Sequence, residues 1–435
     1  MSDSSPVSPA FPRSLRWSRA LIICISLTLA ARAGMLVWGL LDPDRFDYPD
    51  TRRYIRVADN IAAGNGPMES ADERCSSDPG YPALLAVGRL LGISSFNGIM
   101  TWGRFVNLVA GTTATVAAMR LARRAAGTPA ALVAGLLMSL DPIFVFFHGL
   151  VLTDVVYTAL MLWSIEWLLA ARTGGPGAAI AAGVALGAST LTRSSGLLLP
   201  VFLLPILLGR DRARLAEAED VDATIPPAAA ARRAALAVMF LAAYSITLLP
   251  STIRNYHLLR AFVPVRTGVG ATLLDSFGDW ADGGTGMERV VWPTFAPGAD
   301  ERERDLACRQ AVWDWVRSHP KRAIELAVAK VRRTWALTLS APGYRGSFFS
   351  VVSAATVAPI YVLAAVGLWR LRNRPRLLLA CIAPAVYFTL VHSIFIGSVR
   401  YRIPAMPGLF VLAGTAVAAL PRRPDARTAL AEPSP

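Results

Sequence analysis

Long apolar stretches constrain this chain more than any other feature of its 435 residues. A membrane-spanning helix needs roughly 20 mostly apolar residues, and counting such stretches gives about ten. The predicted spans cover residues 17–41, 99–121, 129–148, 150–171, 178–191, 195–208, 234–249, 348–369, 377–396 and 403–420. With 54% hydrophobic and only 17% charged residues, the sequence predicts an all-α polytopic membrane protein.

The net charge of +14 has a topological explanation. Most arginines lie between apolar spans rather than in one basic domain, which favours membrane orientation over binding of nucleic acid. The arginine-rich connections fall on one side if the N-terminus is cytoplasmic, and an even number of spans returns the C-terminus there. We therefore predict a multi-pass protein of the plasma (inner) membrane with both termini in the cytoplasm.

The same topology predicts the domain organisation. Residues 1–12 and 421–435 are expected to be disordered tails that flank one transmembrane domain, residues 13–420. Two long extracytoplasmic loops, residues 42–98 and 250–347, interrupt this domain. Residues 52–61 and 321–339 carry apolar residues at helical spacing, which predicts helices that lie along the bilayer interface.

Two aspartates on the predicted outer side are the candidate catalytic groups. Asp50 and Tyr54 are four residues apart and would share one face of a helix. Asp154 falls at the outer mouth of the fourth span, where an acid is costly and usually has a function. Each aspartate has an alternative interpretation as a helix N-cap.

Arginines on the same side supply the complementary charge. Guanidinium groups suit phosphate oxygens, so arginines around two carboxylates indicate a site for a phosphorylated lipid and a hydroxyl acceptor. The candidate donor and phosphate contacts are Tyr54, Tyr81, Arg104, Arg193, Arg254, Arg400 and Arg402. For any one arginine, an ion pair with an aspartate is an equally good interpretation.

Neither the cysteines nor the histidines predict a metal site. The four histidines lack ligand spacing on a common helix, and the four cysteines form no CxxC pair. Cys75 and Cys308 both fall in outer loops, where a disulfide between them is allowed but not required. We expect no metal and no cofactor.

These segments, in this order, resemble the GT-C membrane glycosyltransferases and, within them, glycosyltransferase family 39. This family includes relatives of the protein mannosyltransferases and of the lipid A aminoarabinose transferases. The segments are Asp50-Thr51-Arg52-Arg53-Tyr54, Pro79-Gly80-Tyr81-Pro82, Asp154, Thr192-Arg193, Arg254-Asn255-Tyr256 and Arg400-Tyr401-Arg402-Ile403-Pro404. Two positions depart from the pattern, because Thr51 stands where many relatives have an acid and Asp78 stands where a basic residue is frequent.

The resemblance implies a GT-C fold and an inverting transfer of a hexose or pentose from a polyprenyl-phosphate donor, usually without a metal. A donor of this kind suits a site outside the cytoplasm, because nucleotide sugars are made in the cytosol. The acceptor would be a hydroxyl group of a protein, a lipid or a cell-envelope glycan. The main alternative is a polytopic transporter or lipid flippase, which would place its charges near the bilayer midplane.

Overall fold

A computed structural model describes residues 13–42, 48–209, 227–339 and 346–419. Within these ranges the chain is helical with connecting turns and contains no β-strand. The helices are α1 (Arg13–Leu41), α2 (Pro49–Ala62), α3 (Gly80–Leu90), α4 (Phe96–Leu140), α5 (Pro142–Gly149), α6 (Asp154–Gly174), α7 (Pro176–Thr192), α8 (Leu199–Leu208), α9 (Pro227–Leu259), α10 (Val269–Ser276), α11 (Glu301–Ser318), α12 (Pro320–Thr334), α13 (Phe348–Leu371), α14 (Pro375–Ile394) and α15 (Met406–Ala418). The two predicted tails lie outside the described residues.

Among the described residues, six helices are long and apolar enough to cross a bilayer: α1, α4, α6, α9, α13 and α14. Three shorter apolar helices, α7, α8 and α15, occupy the places of further predicted spans. The all-helical membrane fold predicted from the sequence is confirmed. The number of about ten spans stays a prediction, because the three short helices fall below the usual crossing length.

The second and third predicted spans lie on one bent helix. Helix α4 is interrupted by non-helical backbone at Ala126 and Gly127, with Pro129 just beyond, at the junction expected between the two spans. The helix then ends at Leu140, where the Asp141 carboxylate accepts a hydrogen bond of 3.0 Å from the Phe144 amide and caps α5. The predicted span 129–148 is therefore two helices.

Small residues allow the helices of the membrane core to approach closely. Helix α15 lies between α4, α13 and α14, and its glycines face the backbones of α14 and α4. A Cβ atom on Gly408 would lie 2.0 Å from the Cys381 carbonyl oxygen, and one on Gly414 would lie 2.5 Å from the Ala130 carbonyl oxygen. Such contacts between small residues are a common way for membrane helices to associate without a hydrophobic driving force.

We expect Gly408→Ala to lower the thermal stability of the purified protein in detergent, because the new methyl group must push α15 away from α14. Overpacking of this kind typically costs about 1–3 kcal/mol. Gly34→Ala on α1 is the matched control, because a Cβ atom there meets no atom within 4 Å. Equal melting temperatures for the two variants would contradict the close packing of α15.

Helices α2 and α3 form a separate apolar cluster at one end of the bundle. Ile55 and Ala58 from α2 and Tyr81 and Leu85 from α3 are buried against the start of α4 and the segment before α6. The Thr51 hydroxyl donates a hydrogen bond of 3.3 Å to the Val151 carbonyl oxygen. The first turn of α2 is therefore fixed next to the N-terminus of α6.

The second long loop contains a small helical subdomain, α10 to α12, with its own apolar core around Leu274, Phe277 and Leu326. Hydrogen bonds join it to the first loop: the Cys75 amide donates to the Glu301 carboxylate at 2.8 Å. Residues 52–61 and most of 321–339 are helical as predicted, in α2 and α12. Their position at the bilayer interface stays a prediction.

All four cysteines are free and buried, so the disulfide that the sequence allowed is not formed.

Candidate active site

Asp50 lies at the start of α2 with its side chain 46% exposed. The N-cap of this helix is Tyr48, and no side chain caps the helix. The N-cap interpretation of Asp50 is therefore wrong. One carboxylate oxygen accepts a hydrogen bond of 2.9 Å from the Nη1 atom of Arg400, which is 350 residues away in the sequence.

Asp154 begins α6 and is completely buried. Thr153 is the N-cap and makes no capping bond through its side chain, so the N-cap interpretation of Asp154 is also wrong. Its Oδ1 atom pairs with Arg193 Nη1, and its Oδ2 atom accepts a hydrogen bond of 3.0 Å from Arg400 Nε. Both carboxylate oxygens are thus occupied by guanidinium groups.

Arg400 links the two acids. It lies in the short 3-10 helix Val399–Arg402, whose first turn is capped by the Ser398 side chain. Burial alone would lower the pKa of Arg400, but the carboxylates of Asp154 and Asp50 outweigh this effect and hold the pKa well above its ordinary value. The guanidinium therefore stays charged at any physiological pH.

Tyr54 borders this cluster one turn after Asp50. Burial and the neighbouring Asp50 carboxylate raise the pKa of Tyr54 to about 12, so its hydroxyl remains neutral and can donate a hydrogen bond. Its ring meets Tyr81 edge to face with centroids 5.6 Å apart. Tyr81 itself is fully buried and contacts Asn107 through its hydroxyl, so it supports Tyr54 rather than facing a ligand.

Sequence reasoning missed several polar groups beside Arg193. The Arg266 guanidinium lies 3.1 Å from the Ser194 hydroxyl and 3.6 Å from the Asp78 carboxylate. The Asp78 carboxylate also accepts a hydrogen bond of 3.2 Å from the Ser194 amide. Asp78 stands where relatives in the resembled family often have a basic residue. In the structure the cation beside it is Arg266, which comes from a distant segment.

An aromatic stack supports the other side of Arg193. The rings of Tyr401 and His392 are parallel with centroids 4.2 Å apart, and the Arg193 guanidinium lies 4.9 Å from the centroid of Tyr401. The position of Tyr401 between two selected arginines was the one signal in the sequence that pointed to it. A guanidinium that stacks on a ring is held in a fixed plane.

Two of the predicted phosphate contacts lie away from the aspartates. Arg104 is buried and donates hydrogen bonds to the Gly149 and Gly39 carbonyl oxygens, so it joins the end of α1 to the end of α5. Arg254 donates to the Arg74 carbonyl oxygen at 2.8 Å and approaches the Cys75 sulfur at 3.7 Å. Arg104 thus holds helix ends and Arg254 holds loop backbone, and these hydrogen bonds lie away from the cluster.

Arg402 is also separate from the cluster, although it is only two residues from Arg400. It is completely buried, and its Nη1 atom donates to the Ala336 carbonyl oxygen and to the Tyr361 hydroxyl. Neighbouring residues of a 3-10 helix point in different directions, which explains why the two arginines separate. This geometry does not fit the predicted phosphate contact and indicates a structural role.

We expect Arg402→Gln to lower the melting temperature while the folded fraction keeps the parental affinity for a lipid phosphate. Loss of the guanidinium leaves buried acceptors unpaired, which costs about 1–3 kcal/mol. Arg400→Gln is the comparison, and we expect that variant to lose lipid-phosphate affinity. Weaker lipid-phosphate binding by Arg402→Gln without loss of stability would instead support Arg402 as a phosphate contact, as the sequence predicted.

Asp154 has the strongest electrostatic constraint in the cluster. In Asp154→Asn, two guanidinium groups lose their shared counter-charge in a buried position, and breaking such a pair typically costs about 3–5 kcal/mol. We therefore expect a large drop in melting temperature. Asp50→Asn should lower the melting temperature much less, because Asp50 is half exposed and has one arginine partner. A larger drop in Asp50→Asn than in Asp154→Asn would contradict this assignment.

Among the described residues, no three His, Cys, Asp or Glu side chains are grouped as metal ligands. The cluster instead combines two carboxylates, two guanidinium groups and a neutral phenol. Such a set can accept one proton, donate several hydrogen bonds and bind an anion.

Comparisons with known proteins give similarities in sequence and in fold. Residues 79–219 match the family model described as dolichyl-phosphate-mannose-protein mannosyltransferase. This segment includes Asp154 and Arg193 but ends before Arg400. No curated protein sequence matches the chain.

Solved structures show the fold over a larger part of the chain. The archaeal oligosaccharyltransferase AglB from Archaeoglobus fulgidus, in complex with an inhibitory peptide and a dolichol-phosphate, matches with a TM-score of 0.59 and 14% identity. The match covers 94% of this chain and 50% of that one. The apo form of the A. fulgidus enzyme gives a TM-score of 0.59 and 12% identity, with 94% and 51% coverage.

ArnT from Cupriavidus metallidurans bound to undecaprenyl phosphate has a TM-score of 0.39 and 17% identity, with 91% of this chain and 77% of that chain covered. The chain thus spans about half the length of the oligosaccharyltransferases whose fold it shares. The resemblance predicted from the sequence is confirmed: this is an integral membrane protein with the GT-C glycosyltransferase fold, and its residues 79–219 match the protein mannosyltransferase family.

Proposed function

We propose that this protein is an inverting glycosyltransferase that moves a sugar from a polyprenyl-phosphate donor to a hydroxyl acceptor on the extracytoplasmic side of the membrane. The main support is the joining of Asp50 and Asp154 through Arg400, which gathers a base and two anion-binding groups at one end of the bundle. The AglB structure with the same fold is a complex with a dolichol-phosphate, which is a ligand of the proposed chemical class.

Asp50 is the proposed general base. It is the more exposed of the two acids, and it has one arginine partner, so a carboxylate oxygen can reach an acceptor hydroxyl. In the transfer, the acceptor oxygen forms a bond to the anomeric carbon as the bond from that carbon to the phosphate oxygen breaks. The acceptor proton goes to Asp50, and the bonding electron pair leaves with the lipid phosphate. A single displacement of this kind inverts the anomeric centre.

Arg193 and Arg400 are the proposed phosphate contacts. Guanidinium groups fixed by Asp154 and by the Tyr401 ring can stabilise the charge that develops on the leaving phosphate without further reorganisation. Asp154 has no free carboxylate oxygen and therefore orients the two arginines instead of accepting the acceptor proton. This assignment gives the two predicted catalytic acids different roles.

The side of the membrane follows from the arginine distribution in the sequence. The candidate cluster lies at the end of the bundle where α2, α3 and the α10 to α12 subdomain are located, and the positive-inside rule puts that end outside. The transporter alternative receives no support from the comparisons, and the charged cluster lies at helix ends rather than in the middle of the spans.

The test is sugar transfer by the purified protein from a panel of undecaprenyl-phosphate hexoses and pentoses to extracted envelope glycolipids and proteins. We expect Asp50→Asn to fold normally and to lose transfer by about 10²–10⁴-fold, the usual contribution of a positioned base. Asp59→Asn is the matched control, because Asp59 lies on the same helix and also pairs with an arginine, at 2.6 Å.

Parental transfer by Asp50→Asn would refute the base assignment. The anomeric configuration of the product, measured by NMR, tests inversion separately. Flux of lipid-linked sugar across sealed vesicles without any transfer product would replace the proposed function with transport.

A further inference from the structure

A cavity of 280 Å³ lies in the outer region, between the segment that follows α9 and the first turns of α11. Its walls include Phe262, Val263, Arg266, Arg302, Leu306 and Arg309. None of the residues selected from the sequence as site residues lines it. The cavity is therefore distinct from the set of site residues predicted from the sequence.

One face of α11 supplies half of the lining. Arg302, Leu306 and Arg309 are spaced four and three residues apart, which places their side chains on a single face. Opposite them, Phe262 is 78% exposed, and Leu306 is itself 47% exposed. Apolar side chains this exposed beside guanidinium groups make an amphipathic surface.

The charge of the cavity is positive. Its acid, Asp305, is directed inward: one oxygen accepts a hydrogen bond of 2.6 Å from the Gly270 amide and the other pairs with Arg309 at 2.5 Å. Arg302 makes no ion pair within the part of the chain that the structure describes. Asp305 balances Arg309, and Asp78 lies 3.6 Å from Arg266, so Arg302 supplies the unbalanced positive charge of a site suited to an anion.

Arg266 connects this cavity to the proposed catalytic cluster. It lines the cavity, and its guanidinium also lies 3.1 Å from the Ser194 hydroxyl. Ser194 follows Arg193, which pairs with Asp154. The cavity is therefore linked to the proposed catalytic cluster through Arg266 and the Ser194-Arg193 segment.

We propose that the cavity binds the phosphate group of an amphipathic acceptor and thereby positions the acceptor hydroxyl for transfer. This inference rests on the proposed function and adds the chemical class of the acceptor: a molecule with an apolar part and a phosphorylated headgroup. Arginine forks match phosphate oxygens well, and a compact cavity suits a single headgroup better than an extended acidic peptide. Phe262 and Leu306 contact the apolar part.

The experiment measures binding and transfer separately on the full chain in nanodiscs. The binding probes are octyl glucoside 6-phosphate and neutral octyl glucoside, and inorganic phosphate and an acidic hexapeptide are further arms. We expect the phosphorylated glucoside to bind about tenfold more tightly than the neutral one, as charge-assisted hydrogen bonds predict. Inorganic phosphate and the peptide should bind more weakly than the phosphorylated probe.

Three variants test whether the phosphorylated probe binds in the cavity. Arg302→Gln should remove most of the preference for phosphate and should fold normally, because Arg302 is exposed and pairs with no acid among the described residues. Lys321→Gln is the charge-matched control on the adjacent helix, and it should keep the full preference. Asp50→Asn should keep binding and lose transfer, which separates the cavity from the chemistry.

Several results would overturn the assignment. Equal binding of the two glucosides, or an unchanged preference in Arg302→Gln, would show that the cavity does not select phosphate. Tighter binding of the peptide would assign the cavity to a protein acceptor, and equal binding of inorganic phosphate would leave no role for the apolar wall. Displacement of the probe by undecaprenyl phosphate would assign the cavity to the donor. If any of these results occurs while sugar transfer is normal, the cavity assignment is wrong and the proposed function still stands.

Discussion

The site depends on one guanidinium group, that of Arg400, which is shared between Asp50 and Asp154. These three residues come from the first long loop, the fourth predicted span and the turn before the last helix. A buried charge is tolerated only where opposite charge and hydrogen bonds surround it. The pairing of the two acids with one arginine therefore fixes the relative positions of distant segments at one end of the bundle.

The apolar clusters explain how this pairing is held in place. The cluster of α2 and α3 fixes the start of α2 beside α6, and close glycine contacts fix α15 within the core. The 3-10 helix that carries Arg400 comes immediately before α15, and Arg402 anchors its other end to the Ala336 carbonyl oxygen. Arg402 therefore contributes to the site indirectly, by holding the turn that presents Arg400.

Sequence reasoning identified the centre of the cluster but not its boundary. Asp50, Asp154, Arg193 and Arg400 were selected as acids and guanidinium groups on one predicted side of the membrane, and the structure brings these four together. The span pattern could also predict an all-helical membrane fold, since hydropathy determines which segments cross. It could not fix the number of crossings, because α8 and α15 are short helices inside longer apolar stretches.

The selected arginines that lie outside the cluster share one physical feature. Arg104, Arg254 and Arg402 carry the same charge as the arginines of the cluster, but each donates to backbone carbonyl oxygens. Whether a guanidinium meets a carboxylate or a carbonyl depends on tertiary contacts that no local pattern encodes. Arg266 was missed for the converse reason, because only the fold brings it to Asp78 and Ser194.

The charge balance of the cluster bears on how the proposed reaction would begin. With two carboxylates and two guanidinium groups, the centre is neutral, so a donor phosphate must compete with an aspartate for an arginine. Asp154 is buried and holds two arginines, whereas Asp50 is half exposed and holds one, so Asp50 is the acid that is displaced more easily. In the proposed mechanism, phosphate binding to Arg400 then releases Asp50 from its ion pair. The freed carboxylate oxygen can accept a hydrogen bond from the acceptor hydroxyl, so donor binding itself would prepare Asp50 to take the acceptor proton.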